Sequence, residues 1–171
     1  MLLNKKVLDT DIIRKTYDTL ERNALIMMAI PLPFFALAYL FTTSSTISYK
    51  APELPLLLDT ALLTLVILML ALHYVNFQAA IKKARIEGAD LEDKMMRYAQ
   101  ATMKRLWVLF AIVFLCAGGL LIYQNPGYTI SFAVALVFFS LGKPTPDRII
   151  RLLRLKGEEK DAIEALKMRN R

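Results

Sequence analysis

With one cysteine and one histidine among 171 residues, a single chain can assemble neither a disulfide framework nor a His/Cys metal site. Apolar residues make up 56% of the chain and the mean hydropathy is +0.43, above the roughly 45–50% apolar share of soluble domains. The net charge of +7 has to be located along the chain before it is read as a surface for nucleic acid.

The apolar residues fall in four blocks: Ala24–Phe41, Ala61–Phe77, Leu106–Tyr123 and Tyr128–Leu141. The first three run about 17 to 18 residues without Asp, Glu, Lys or Arg, close to the ~20 that cross ~30 Å of hydrocarbon. The fourth borrows Pro126 and Gly127 at one end and Gly142 at the other. Four blocks leave no room for a separate soluble domain. The expected fold is therefore all-α: a polytopic membrane protein with spans at 24–42, 60–77, 106–123 and 127–142. A helical hairpin over 78–105 separates spans two and three, and amphipathic helices lie at 1–23 and 143–171.

Lys and Arg set the orientation. Residues 1–23 hold five, 76–105 hold seven and the tail from Lys143 nine, whereas the loop before span two has only Lys50 and the 124–127 turn has none. By the positive-inside rule both termini and the hairpin face the cytoplasm, and a cell inner membrane is the expected location. The basic balance thus follows topology, and no nucleic-acid partner is expected. Before the first apolar block lie 23 residues of mixed charge with no small-x-small exit, which is not a cleavable signal.

In chain order, Asp9–Thr10–Asp11 offers a capped helix start, and Ile13, Tyr17, Leu20 and Ala24 recur at helical spacing as a lipid-facing stripe. Span one contains Pro31 and Pro33. Each lacks an N–H, so the carbonyls of Met27 and Ala29 lose their usual donors and a kink is expected. Pro52 and Pro55 precede span two. Asp59 reads as its cap; were the helix to start at Glu53, the acid would sit about 9 Å in and become a functional candidate. Span two ends in a polar patch of His73, Tyr74, Asn76 and Gln78, where the lone imidazole suits a hydrogen-bonded structural role.

In the connector, Phe77, Ala80, Ile81 and Ala84 form one stripe, and Leu91, Met95, Tyr98, Ala99, Thr102 and Leu106 another, with Gly88 at the fold and Asp90 as a cap. Lys104, Arg105 and Trp107 read as inner-interface anchors, and Tyr123 and Tyr128 as outer ones. Asn125-Pro126-Gly127 is a tight turn; Gly118-Gly119 and Ser131-x3-Ala135 are small faces for packing. In the tail Thr145 caps a helix with Pro146 in its first turn. There Ile149, Ile150, Leu152 and Leu153 oppose Arg148, Arg151 and Arg154, a basic face for the anionic inner leaflet. Gly157 is expected to end that helix, before a shorter one over Glu158–Met168.

No catalytic pattern accompanies these elements. GKPT lacks the GxxxxGK of a phosphate loop, and Asp59 and His73 stand 14 residues apart, about 21 Å along one helix, too far to share a proton. No cofactor or metal is expected. The reading is a non-enzymatic membrane protein that scaffolds or assists a complex through its cytoplasmic helices, with a protein partner or a second copy. The alternative is a small oligomeric transporter or channel subunit using Asp59 or the Pro31/Pro33 kink.

Overall fold

A computed structural model describes residues 2–44, 52, 54–85 and 90–166, with side chains from Asp11 onward. Gly88, Lys50, Glu53 and the end of the tail helix at Met168 lie outside these residues. The described chain is all helix and loop: α1 (Leu2–Ala29), α2 (Pro31–Thr43), α3 (Leu56–Ala84), α4 (Leu91–Tyr123), α5 (Pro126–Gly142), α6 (Pro146–Leu153) and α7 (Gly157–Glu164). Three stretches are long and apolar enough to cross a membrane: Asp11–Thr43, Leu56–Ala84 and Leu91–Tyr123. With α5 joined to α6 as one broken span the number is four.

Several boundaries differ from those the sequence predicts. α1 starts at Leu2 rather than at the Asp9–Asp11 cap, because the residues before the cap also tolerate helix. The proline pair interrupts the helix by one residue only. Ile30 keeps right-handed angles (φ −61°, ψ −47°) and its N–H still reaches the Ile26 carbonyl at 3.0 Å. Pro31 and Pro33 then occupy the first turn of α2, where a missing N–H costs nothing. Similarly α3 begins at Leu56, directly after Pro55, so Asp59 lies inside the first turn rather than capping a helix that starts at Thr60. The first turn is where the helix dipole favours an acid.

The chain divides into two compact units. One comprises Met1–Ala24, Asn76–Lys104 and Lys143–Arg171; the other comprises Leu25–Val75 and Arg105–Gly142.

The second unit holds the most apolar sequence. Of the three long candidates, α4 buries the largest share of its apolar window, and Leu109, Ile112, Val113 and Cys116 are fully enclosed. From α2, Phe35 stacks on Phe132 of α5 with ring centroids 3.5 Å apart, and Phe34 meets Phe114 of α4 at 5.4 Å. The lipid-type residues Leu25, Phe34, Leu37, Leu68 and Val137 remain exposed, as expected where the surrounding medium is as apolar as the side chain.

The first unit has a core of its own, built from three segments distant in sequence. Ile13, Tyr17 and Leu20 of α1 join Phe77, Ile81 and Ala84 of α3, and Met95 and Tyr98 of α4; Ile149, Leu153, Leu155 and Ile163 complete it from the tail. The stripes of α1 and α6 that the sequence reading assigns to lipid are thus packed against the two connector stripes. Each large apolar side chain so buried contributes about 1.5–3 kcal/mol. Polar ties run along the same seams: Arg85 Nε donates to the Leu152 carbonyl at 2.6 Å, and Lys94 Nζ meets Glu159 Oε1 at 2.7 Å.

The caps of this unit agree in part with the sequence. Asp90 Oδ1 accepts from Leu91 N–H at 2.9 Å, and the Thr145 hydroxyl accepts from Arg148 N–H at 3.4 Å ahead of Pro146. α6 ends at Leu153, earlier than the expected Gly157. Arg154 takes the left-handed conformation (φ 56°) and Leu155 N–H returns to the Ile150 carbonyl at 3.1 Å, which seats Leu155 in the core. Gly157, also left-handed, instead opens α7.

Candidate functional site

The densest polar cluster of the second unit lies where α3 begins and α4 turns into α5. The turn is built locally. Gln124 in the left-handed region (φ 52°) returns its N–H to the Leu120 carbonyl at 2.9 Å and closes α4. Asn125 Oδ1 then accepts from Gly127 N–H at 2.9 Å across Pro126, an Asx turn. Because that oxygen is occupied, the Asn125 amide nitrogen has to face the other way. There it donates to Asp59 Oδ2 at 2.7 Å.

The other carboxylate oxygen, Oδ1, accepts from the Tyr128 hydroxyl at 2.8 Å. Tyr128 reaches it from a fully buried position, not from the interface that its sequence position suggests. Gly119 makes this possible: a Cβ there would fall into the tyrosine ring, 2.6 Å from Cζ. Asp59 is only 5% exposed, and a buried carboxylate is tolerable when both oxygens accept charge-assisted bonds. Chemically this is a clasp that joins the first turn of α3 to the α4–α5 turn. Both oxygens are engaged, so the group is not presented to a ligand.

His73 and Arg105 form a second cluster in the same unit. The His73 ring is 4% exposed and stands edge-on to Phe138 with centroids 4.8 Å apart. The carbonyls of Met69 and Leu70 are close to the ring, and among the described residues neither nitrogen has a partner within full bonding geometry. Arg105 is buried, at 4% exposed. Its Nη2 donates to the Phe138 carbonyl at 3.0 Å.

The remaining sequence candidates do not converge on either cluster. Pro31 is buried, Pro33 exposed, and Asn76 is an exposed residue of the other unit. In the basic face of α6, Arg151 and Arg154 are exposed, whereas Arg148 is half-buried and burial holds its guanidinium below the usual arginine range. Among the described residues no group of three His, Cys, Asp or Glu side chains could hold a metal.

Asn125, Tyr128, Gly119 and Arg105 are the positions that sequence reasoning did not mark as candidates. The Gly118-Gly119 pair signalled close packing without naming its partner, and the Asn-Pro-Gly turn specifies the Asx oxygen rather than the distant aspartate that the nitrogen meets. Comparison with protein-family models, curated proteins and solved structures finds no match, so the geometry alone carries the assignment that follows.

Proposed function

We propose that the chain is a four-span protein of the cell inner membrane that carries a cytoplasmic helical module and scaffolds or assists a membrane complex without catalysing a reaction. The observation that carries this reading is the shared core of the first unit. Residues before Ala24, between Asn76 and Lys104, and after Lys143 pack into one hydrophobic cluster. Three segments with a common water-shielded core lie on one side of a bilayer, so the chain between consecutive segments has to leave and return. That parity calls for α5 as a fourth crossing, although its 17 residues span only about 25 Å. The distribution of Lys and Arg supports a cytoplasmic side for this module.

Scaffolding, rather than transport, is supported by the state of Asp59. Its carboxylate is clasped by Asn125 and Tyr128, and the proline pair leaves the helix path with a single-residue interruption. A partner has to use the outside of the module, because Ile81, Ala84 and Met95 are core residues. The exposed cations Lys82 and Lys83 on the last turns of α3 are suited to it.

Affinity purification of the full chain in mild detergent is expected to recover a stoichiometric partner or a second copy that Lys82→Glu with Lys83→Glu releases. Recovery of the protein alone as a monomer, together with solute flux in proteoliposomes abolished by Asp59→Asn, would overturn the scaffold reading.

A further inference from the structure

On the surface of the first unit, α1 and α4 enclose an open groove of about 380 Å³. Its floor is apolar, made by Leu20, Ala99 and Met103, and its walls carry Lys15, Thr16, Thr19 and Gln100. The wall residues are uncommitted: none has a hydrogen bond or ion pair with another described residue. The two threonines differ in this from Thr42, Thr43, Thr60 and Thr64, whose hydroxyls donate back to carbonyls of their own helices.

The last charge on each wall before the apolar helix is a cation. Arg22 continues the Lys15–Thr19 strip of α1, and Lys104 stands one turn beyond Gln100 on α4, both exposed and both toward the apolar segments. Asp11 and Asp18 on α1 and Asp93 and Arg97 on α4 lie farther from those segments. Leu20 precedes the apolar block at Ala24 by four residues and Met103 precedes that at Leu106 by three. At helical rise these are about 6 and 5 Å, within the headgroup layer of a bilayer that begins at those blocks.

We propose that this groove is a binding site for an anionic glycerophospholipid. Lys15, with Arg22 and Lys104 at the bilayer end, attracts the phosphate. Thr16, Thr19 and Gln100 meet the glycerol and headgroup oxygens, and the first acyl methylenes lie on Leu20, Ala99 and Met103. The observations select a lipid because Arg22 and Lys104, the last charges of the two strips, stand where both walls continue into apolar helix. A soluble acidic peptide lying along the strips would also meet Asp11, Asp18 and Asp93. The inference rests on the membrane topology proposed above.

The test is native mass spectrometry of the full chain released from nanodiscs of phosphatidylcholine doped with phosphatidylglycerol. The expected result is one retained phosphatidylglycerol. Retention should fall on the order of tenfold with Lys15→Glu and Gln100→Leu together, as loss of one charge-assisted contact implies. Thr19→Phe, which fills the groove without removing a charge, should lower it likewise, and a charge reversal at the exposed Lys156 before α7, Lys156→Glu, should leave it unchanged. No retained lipid, or an equal loss with Lys156→Glu, overturns the site. A chain that stays in the membrane under alkaline carbonate while retaining no lipid sinks this inference alone; one washed off the membrane sinks the topology with it.

Discussion

Tyr128 sits where an interfacial anchor would be expected, yet the missing Cβ of Gly119 admits its ring to the interior and sends its hydroxyl to Asp59. The two adjacent glycines therefore predict opposite outcomes. Gly119→Ala should destabilise the protein in detergent, because the new Cβ collides with the ring. At Gly118 a Cβ meets nothing within 4 Å, so Gly118→Ala should be neutral or stabilising by up to about 1 kcal/mol. Thermal unfolding of both variants checks the contrast. Tyr128→Phe leaves a buried carboxylate short of a donor and should cost about 1–3 kcal/mol in the same assay. In the other unit Tyr17 provides a pH test. Burial, with Glu21 and Asp18 close by, pushes its phenol up to about 12. A folded value above the ordinary 10 means that the phenolate is disfavoured by folding. The contribution is complete below pH 10 and is lost as pH rises from 10 through 12. Alkaline unfolding should accordingly be less steep in that window for Tyr17→Phe than for the wild type.

At the level of helices, the ends were less legible than the middles, and for identifiable reasons. Thr145 and Pro146 announce the start of α6 by chemistry confined to four residues, and Thr145→Ala should cost about 1 kcal/mol of stability in the first unit. Its end differs from the one the sequence suggests. Gly157 is the residue best suited to a left-handed position, but Arg154 takes that conformation three residues earlier because Leu155 is drawn into the core. Propensity yields to burial there. Arg154→Gly should thus stabilise the unit by roughly 0.5–1 kcal/mol, measured by chemical denaturation, by removing the penalty of a side chain in left-handed backbone. The start of α3 was misplaced by four residues for a related reason. Pro55 sets the boundary, and Asp59 is held by Asn125 and Tyr128, partners that no local pattern can announce.

For the whole molecule the decisive quantity is the parity of crossings. With four spans, tags fused before Met1 and behind Arg171 report from the same compartment, the cytoplasm; with three they report from opposite sides. Protease protection of right-side-out and inverted vesicles carrying both tags is expected to give the first pattern. Opposite accessibility would remove both the four-span topology and the single module that contains both chain ends.

Local composition determined the apolar stretches and the helical class, since each depends on neighbours within a few turns. It also marked Phe77, Ile81, Met95 and Tyr98 as faces to be covered. What covers them was decided only by the tertiary structure: α1 and α6 supply the complementary stripes, and Asp59 finds Asn125 and Tyr128 across 66 and 69 residues. An amphipathic face states that it must be buried, because water rejects it, but lipid and protein satisfy that demand almost equally. The choice between them depends on which other faces the folded chain brings within reach.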